Sequence, residues 1–430
     1  MFFDIETVAC TKLRGDALSI IQAGLDAVCP RNLFSDKLSF EENTLIIGED
    51  SFPLVGRLFV VGAGKAAGLM AEEFERCIGT DHIVAGVVNC TTADYQTQKI
   101  RVNKGGHPFP DEGGIQGVKE MLALKEQMRP DDVVVCLLSA GGSSLLASPA
   151  GNITLKDEKW LMEQFLAYGV PTSEINVVRK HISTVKGGQL ARHFAPNKII
   201  SIIISNIPRT DESLIASGPT IEPTTTYSDA YDILHKYDID IPHSVEEYLK
   251  DRITDQNLDE KIGNSSQVII ADTRTALDAM NERAKELGYK PFIISSNQEG
   301  DMTKVAQKYA KEIVAGSYQG FTALLLGGQT TQIIPEDHGK NSRNLAFALT
   351  SLKQLQELQR EWVMISIKTD GMDEFGVAGA IIDNTTPTID IDRFINDLDS
   401  YTYFESIGNC LLKTSNTGTN VCDIQLYLFK

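Results

Sequence analysis

The stretch VVVCLLSAGGSSLL, residues 133–146, decides the fold. Residues 133–138 are almost entirely apolar, which is typical of a strand buried on both faces of a parallel sheet. The run stops at a turn of glycines and serines, and apolar residues return at 145–147. The pattern therefore predicts a strand, a tight loop and a helix, the repeating unit of an α/β fold.

The loop after this strand has the composition of an anion-binding site. Adjacent glycines allow backbone N–H groups to approach a bulky anion, and serine hydroxyls add further donors. No Walker pattern GxxxxGK[ST] occurs in the chain, and glycines also serve purely structural turns, so spacing alone leaves both interpretations open. The residues that we expect to hold phosphate are Ser139, Gly141, Gly142, Ser143 and Ser144.

A second glycine-rich turn, GAGKAAG at residues 62–68, follows an earlier apolar run. It resembles a dinucleotide-binding fingerprint with one residue too many, and the next predicted strand, residues 83–88, ends without the acid that binds a ribose hydroxyl. Lys65 stands at the carboxyl end of a buried strand, where open α/β sheets bind ligands. We expect Lys65 to meet an anion; a solvated lysine on a first helical turn is the alternative.

Three cations stand close together near the middle of the chain: Arg179, Lys180 and Lys186. At helical spacing Arg179 and Lys186 would share one face. We expect Lys186 to help hold a phosphate group and Arg179 to contact the substrate. A solvated basic face would give the same pattern.

The overall charge narrows the range of ligands. The formal net charge is −18, from 58 acidic and 40 basic residues without a long basic run, which argues against general binding to nucleic acid or to an anionic membrane. The seven cysteines form no CxxC pair, and the N-terminal sequence lacks the positive charge of a secretory signal. No apolar run approaches the ~20 residues of a membrane helix. We expect a soluble, cytoplasmic protein that acts on small molecules.

Successive strand-then-helix patterns predict a doubly wound parallel sheet in the first part of the chain. A charged stretch, residues 225–263, then leads to a fresh set of α/β units that begins with an apolar strand at 268–271. The predicted domains are residues 1–260 and a smaller α/β domain, residues 261–430.

The motifs, taken together in chain order, resemble one family. They are GAGKAA around Lys65, GGHPFPD around His107, SAGGSS at 139–144, NVVRKHIS and VKGG within 176–188, IASGPT at 215–220, GG and TT within 327–331, SRN at 342–344, TDG at 369–371 and TGTN at 417–420. The chain is similar in these motifs to the ATP-dependent glycerate 2-kinases with a MOFRL-type C-terminal domain, and the likeness spans most of its length.

The resemblance implies a Rossmann-like N-terminal domain, a smaller α/β C-terminal domain and an active site in the cleft between them. It also implies transfer of the γ-phosphoryl group of ATP to the 2-hydroxyl of D-glycerate, with Mg²⁺ or another divalent cation. Lys65 and Arg343 correspond to the lysine and arginine taken as active-site residues in this family, so we expect both to be catalytic and to bind substrate.

The chain departs from the family pattern at polar loop positions. Asn206 stands where the family usually has aspartate, and Gln329 where it has glutamate. Losing two carboxylates weakens any metal assignment carried over from the family, and leaves Asp211, Asp370 and Asp373 as candidates. We expect Asp370 to be the first choice as a metal ligand and Asp211, which could equally cap a helix, the second.

Two other functions remain open at this stage. The glycine-rich turn at 62–68 also suits an NAD(P)H-dependent reductase of hydroxypyruvate, and the altered loops suit a non-catalytic binder of nucleotides or sugar phosphates. The sequence leaves the oligomeric state open, a homo-oligomer included, together with the nucleotide preference and the identity of any general base.

Overall fold

The structure is a computed structural model that describes residues 2, 5–207, 212–237, 239–254, 261–335 and 337–430. The chain forms two compact units. The middle unit comprises Pro30–Ser205 and Arg209–Ile270, and the terminal unit comprises Met1–Cys29, Asn206–Pro208 and Ala271–Lys430. None of the helices in these described stretches has both the length and the apolar composition needed to span a bilayer.

The middle unit contains a small antiparallel sheet and a large sheet. The small sheet consists of β1 (Leu38–Glu41), β2 (Thr44–Ile47) and β3 (Asp50–Pro53), which the sequence pattern did not predict. The strands of the large sheet are β4 (Leu58–Ala63), β5 (Ile83–Cys90), β6 (Ile100–Lys104), β7 (Val133–Ser139), β8 (Lys198–Ile204) and β9 (Ser265–Ala271).

The large sheet has the strand order β6-β5-β4-β7-β8-β9. Neighbours from β6 to β8 pair in parallel. This is the 3-2-1-4-5-6 order of Rossmann folds, so the predicted doubly wound α/β architecture is confirmed. Every residue of β4 and β7 is buried, as their apolar sequences predicted. The order reverses between β4 and β7, and in such sheets ligands bind beyond the carboxyl ends of the strands at that reversal.

The helices of the middle unit cover this sheet and extend from it. They are α3 (Pro30–Lys37), α4 (Ala67–Ile78), α5 (Glu112–Ala123), α6 (Gly142–Leu145), α7 (Leu155–Ala167), α8 (Thr172–His181), α9 (Gln189–Phe194), α10 (Tyr227–Lys236) and α11 (His243–Thr254). Of these, α7, α8, α10 and α11 share a separate apolar core that includes Phe165 and Leu234. Capping boxes at Thr154 and Thr226 start α7 and α10, because each side chain and a later aspartate bond reciprocally to the first turn.

The terminal unit is built on a mixed sheet. Its strands are β10 (Pro291–Gln298), β11 (Ala323–Gly328), β12 (Trp362–Lys368), β13 (Gly379–Asp383), β14 (Leu411–Leu412) and β15 (Asp423–Phe429), and its helices are α1 (Ile5–Val8), α2 (Lys12–Ala27), α12 (Thr273–Glu286), α13 (Met302–Val314), α14 (Arg343–Leu355), α15 (Ile391–Asn396) and α16 (Ser400–Ile407). The spatial order is β10-β11-β15-β12-β13-β14. β10 and β11 are parallel, and β15 runs antiparallel to both of its neighbours.

The opening helix packs within the terminal unit. A β-carbon on Gly24 of α2 would lie 2.7 Å from Cγ of Met280 on α12, so the two helices touch closely at this glycine. The buried Arg14 side chain also reaches Asp383 at the end of β13, with Nε 2.5 Å from Oδ2. The predicted division at residue 260 placed residues 1–29 in the first domain, whereas they belong to the terminal unit.

The strand predicted at 268–271 is also placed differently from the expectation. It lies within β9, at the edge of the first large sheet, rather than at the start of the second set of α/β units. An apolar pattern shows that a strand is buried, but it does not specify which sheet buries it. The apolar positions of α2 likewise do not specify that this helix packs in the terminal unit.

Candidate active site

Lys65 and the loop after β7 meet at the reversal point of the large sheet. Lys65 follows β4 directly, its backbone N–H donates to the carbonyl of Ala140 at 2.8 Å, and its side chain is half-buried. Gly141 has a φ of 85°. A β-carbon at Gly141 would lie 3.2 Å from Cγ of Lys65 and 3.0 Å from Cδ2 of His107. The fold thus brings together a lysine, a histidine and a glycine-rich loop from three motifs.

The loop offers backbone donors. Within the described part of the chain, the N–H groups of Gly142 and Ser143 at the start of α6 donate to no carbonyl, whereas Leu145 and Leu146 close the helical turn onto Gly141 and Gly142. Ser143 is half-buried. Two N–H groups without a carbonyl acceptor, close to a lysine, form a local positive potential suited to an oxyanion.

The serine hydroxyls of the loop are mostly used inside the protein. Ser139 is fully buried, and its Oγ accepts from the backbone N–H of Ala66 at 3.0 Å. Ser144 donates from Oγ to the carbonyl of Pro108 at 2.6 Å. These two hydroxyls fix the loop against its neighbours, and a direct phosphate contact from either one stays a prediction.

A strained backbone segment contacts the loop after β7. Ala216, Ser217 and Gly218 have consecutive positive φ values of 50°, 61° and 59°. Ser217 is fully buried and donates to Oγ of Ser143 at 2.8 Å. Non-glycine residues in this conformation cost ~1–3 kcal/mol each and persist where their surroundings fix them. The segment belongs to the IASGPT motif, whose contact with the loop the sequence did not predict.

The glycine-rich turn at 62–68 serves packing between protein groups. A β-carbon would lie 2.2 Å from the carbonyl of Leu137 at Gly62, 2.1 Å from Oγ of Ser139 at Gly64, and 2.1 Å from the ring of Tyr95 at Gly68. The space that these glycines provide is therefore filled by other parts of the chain. Nothing in this turn resembles the open cradle of a dinucleotide pyrophosphate.

The two cations predicted at helical spacing do not share a helix, because α8 ends at His181. They nevertheless lie near one carboxylate. Lys186 is fully buried with Nζ 3.2 Å from Oε1 of Glu158. Burial lowers the pKa of both Lys186 and Arg179, while the charge of Glu158 opposes the change in each. A phosphate contact by Lys186 stays a prediction, and it would require this ion pair to open.

In the terminal unit, Arg343 is the first residue of α14 and forms an ion pair with Asp423, the first residue of β15. Nε lies 2.8 Å from Oδ2. The Asp423 charge raises the pKa of Arg343 far above its ordinary value, with a further contribution from Asp373, so the guanidinium is permanently charged. The Arg343 side chain is 26% exposed.

The two acids after β12 differ in how they are used. Asp370 is buried; its Oδ1 accepts from the N–H of Met372, and its Oδ2 accepts from Asn420 and lies 3.6 Å from Nζ of Lys368. Asp373 has a buried Oδ2 without a hydrogen-bond partner among the described residues. Asp373 therefore has the freer carboxylate. The other predicted metal ligand, Asp211, lies outside the described residues.

The two departures from the family pattern lie close to one thiol. Sγ of Cys422 is 2.7 Å from the carbonyl oxygen of Asn206 and 4.0 Å from Oε1 of Gln329. Burial raises the pKa of Cys422 to about 12, so the thiol is neutral at physiological pH. This corner of the terminal unit carries uncharged polar groups next to the Arg343–Asp423 pair.

The sequence predicted Lys65, Arg343 and the loop as site residues, and it offered His107 as a further candidate that a tight turn alone could explain. It did not predict Asp423. Asp423 stands directly before the mostly apolar residues 424–429, where acids are common, so its position did not set it apart. Across the described residues, no group of three or more His, Cys, Asp or Glu side chains is arranged to hold a metal ion.

Comparisons with known proteins place the chain among relatives of similar length. Residues 16–250 match a domain of unknown function, DUF4147, and residues 322–423 match the MOFRL family. The chain is 32% identical over 433 residues to a glycerate 2-kinase of Pyrococcus horikoshii, covering 96% of both proteins. It is 34% identical over 386 residues to a putative hydroxypyruvate reductase of Agrobacterium vitis, covering 87% of both.

A solved structure shows the same likeness in three dimensions. The glycerate kinase of Thermotoga maritima matches with a TM-score of 0.82 at 28% identity, covering 97% of this chain and 100% of that one. Sequence and fold therefore agree over nearly the whole length.

Proposed function

Since the chain belongs to the glycerate 2-kinase family with a MOFRL domain, we propose that it is an ATP-dependent kinase that converts D-glycerate to 2-phosphoglycerate. The observation that carries this proposal is the near-full-length likeness to glycerate kinases in both sequence and fold. In the reaction the 2-hydroxyl oxygen of glycerate forms a bond to the γ-phosphorus of ATP, the bond to the β-γ bridging oxygen breaks, and the hydroxyl proton is released.

Lys65 and the loop after β7 bind the phosphoryl groups. Phosphoryl transfer depends mainly on positioning and on neutralising charge at the transferred group. The N–H groups of Gly142 and Ser143 can each donate to a phosphate oxygen, and Lys65 supplies a mobile positive charge beside them. His107 borders the same loop and can donate to a phosphate oxygen or accept the hydroxyl proton.

Arg343 binds the carboxylate of D-glycerate. A guanidinium pairs with a carboxylate through two parallel hydrogen bonds, which fixes orientation as well as charge. The ion pair with Asp423 uses only Nε. That Arg343 and Lys65 serve one active site stays a prediction.

Mg²⁺ fits the acids of the terminal unit. The buried Oδ2 of Asp373 has no hydrogen-bond partner among the described residues, as a metal ligand requires, whereas both oxygens of Asp370 already accept hydrogen bonds. Mg²⁺ is commonly held by one or two carboxylates together with substrate phosphates. We assign Asp373 as the leading ligand and Asp370 as the second; when bound, the cation neutralises charge on the phosphates.

A coupled assay tests the reaction. We expect ADP release that depends on D-glycerate and a product that enolase consumes directly, since enolase acts on the 2-phosphate. ADP release without an enolase signal would place the phosphate elsewhere. Thermal stabilisation by ATP without ADP release would instead indicate a non-catalytic nucleotide binder.

A hydroxypyruvate reductase is the second candidate, because the relative from Agrobacterium vitis carries that name. The glycines at 62–68 are occupied by protein atoms, and Asn89, near the end of β5, donates its amide to the carbonyls of Gly114 and Leu145. This leaves no acid there for a ribose hydroxyl. Oxidation of NADH or NADPH on addition of hydroxypyruvate would favour the reductase over the kinase.

A further inference from the structure

Arg343 makes its ion pair through one nitrogen. Nε donates to Oδ2 of Asp423 at 2.8 Å. No hydrogen bond in the described part of the chain uses Nη1 or Nη2. The guanidinium is thus held along one edge, while its terminal nitrogens remain available.

Asp423 is itself fixed by buried polar groups. Its Oδ1 accepts from Nδ2 of Asn344 at 3.1 Å, and Oδ1 of Asn344 accepts from Oγ of Ser366 at 2.7 Å. All three side chains are buried. The Asp423 carboxylate cannot rotate without breaking hydrogen bonds at both oxygens, and such bonds are costly to lose in a buried setting.

The hydrogen-bonded series continues across the sheet. Gln425 Nε2 lies 3.4 Å from Oγ of Ser366, and its Oε1 accepts from Nε2 of Gln298 at 2.5 Å. The series therefore connects α14, β15, β12 and β10.

We propose that Asp423 is a positioning residue for Arg343: its carboxylate holds Nε and directs Nη1 and Nη2 toward the carboxylate of D-glycerate. This inference rests on the proposed function, in which Arg343 binds that carboxylate. In this role Asp423 acts through Arg343. Its effect is to present the two terminal N–H groups in the geometry of a bidentate pair.

Steady-state kinetics of four variants test the proposal. Asp423→Asn leaves one acceptor oxygen for two donors, Arg343 and Asn344, so the guanidinium loses its fixed orientation. Adding Asn344→Asp reverses the polarity of the pair: the amide at 423 accepts from Arg343 and donates to the carboxylate at 344, which still accepts from Ser366. Arg343→Lys keeps the charge but removes the planar fork. Arg343→Ala removes both.

We expect Asp423→Asn to raise KM for D-glycerate about 100-fold with little change in kcat or in KM for ATP, because the lost contact is a binding contact. The double variant should return KM to within about threefold of the original value. Arg343→Lys should resemble Arg343→Ala. The matched control is Asp132→Asn, which alters another buried aspartate paired with a half-exposed arginine, Arg57, and should leave both KM values unchanged.

An unchanged KM in folded Asp423→Asn, a double variant as impaired as the single, or full activity in Arg343→Lys would each overturn the positioning role. If Asp423→Asn does not fold, the double variant and Arg343→Lys decide the question alone. Full activity in Arg343→Ala would refute the assigned role of Arg343, and absence of glycerate-dependent ADP release in the unaltered protein would refute the kinase itself. The failures are therefore distinguishable.

Discussion

Gly141 and Gly169 share a left-handed backbone conformation and differ in their surroundings. Their φ values are 85° and 63°, but a β-carbon would contact His107 and Lys65 at Gly141 and nothing within 4 Å at Gly169. Either change to alanine should cost about 1–2 kcal/mol of unfolding free energy, from the backbone strain. Only Gly141→Ala should also reduce kcat/KM, by about 10- to 100-fold, because it displaces groups at the site. Urea unfolding measures the free energies of both variants, and steady-state kinetics measures their kcat/KM. Equal kcat/KM in the two variants would contradict a role for the Gly141 loop in the active site.

Lys65 gives the most direct residue-scale prediction. Lys65→Ala should lower kcat/KM by about 100-fold or more, since it removes a positive charge beside the transferred phosphoryl group. Unfolding free energy should change by less than about 0.5 kcal/mol. Lys119→Ala, on the exposed face of α5, is the control and should behave like the unaltered protein. Near-normal turnover in Lys65→Ala would remove it from the mechanism.

The places of candidate residues were predictable where the residue type and the backbone signal coincide. Lys65 follows a glycine turn at the end of a buried strand, and that combination predicted its place beside the loop after β7. Asp423 has no such signal, because an acid before an apolar run is common at strand starts. Its partner Arg343 lies 80 positions away in the chain, and only the folded unit brings the two together.

At the scale of elements, a buried ion pair joins α2 to β13. Arg14 and Asp383 are 2% and 5% exposed, and further donors to Asp383 come from Thr385. Arg14→Met should lower the unfolding free energy by about 3–5 kcal/mol, because it leaves a buried carboxylate without its cation. Arg393→Met, which breaks an exposed pair with Asp397, should have little effect in the same urea titration.

The same pair predicts a pH dependence. Burial opposes ionisation of Asp383, but hydrogen bonds from Thr385 and the charge of Arg14 outweigh it and lower its pKa. A carboxylate with a lowered folded pKa contributes stability above its unfolded pKa, about 3.9, and loses it as pH falls through the folded value. The stability difference between the unaltered protein and Arg14→Met should therefore be largest at neutral pH and shrink below about pH 4. A difference that grows with acidity would contradict this.

Element types were predictable, and element partners were not. Residues 133–138 form the predicted strand, because a continuous apolar run suits a strand that is buried on both faces of a sheet. The helix containing Arg14 carries apolar residues at helical spacing, yet nothing in it indicates that α12 and β13 are its partners. Partner choice depends on shape, as where Gly24 admits Met280, and a linear pattern does not record it.

At the scale of the whole molecule, the two units should differ in their ability to fold as fragments. Residues 30–270 contain every strand of the Rossmann-like sheet, so we expect this fragment to unfold cooperatively on its own. Residues 271–430 without 1–29 would expose the apolar face of α12, including Leu277 and Met280, and leave Asp383 unpaired. This fragment should bind a hydrophobic dye and lack a cooperative transition.

Joining residues 1–29 to residues 271–430 through a flexible linker is the control. We expect the fused fragment to regain a cooperative transition by calorimetry, because α2 again covers α12. A cooperative transition in residues 271–430 alone would show that α2 is dispensable for this unit.

β15 occupies the middle of its sheet although it comprises residues 423–429, which the ribosome makes after every other strand of that sheet. During translation, the edges of β11 and β12 that pair with β15 stay unpaired until this strand is made. The helix α2 is made long before the rest of its unit is complete. Termination or proteolytic cleavage before residue 423 would leave the sheet as two separate halves. It would also remove Asp423, so we expect loss of activity together with loss of the fold of this unit. Quality control by chaperones is therefore expected to act late on this polypeptide, after the Rossmann-like unit has already formed.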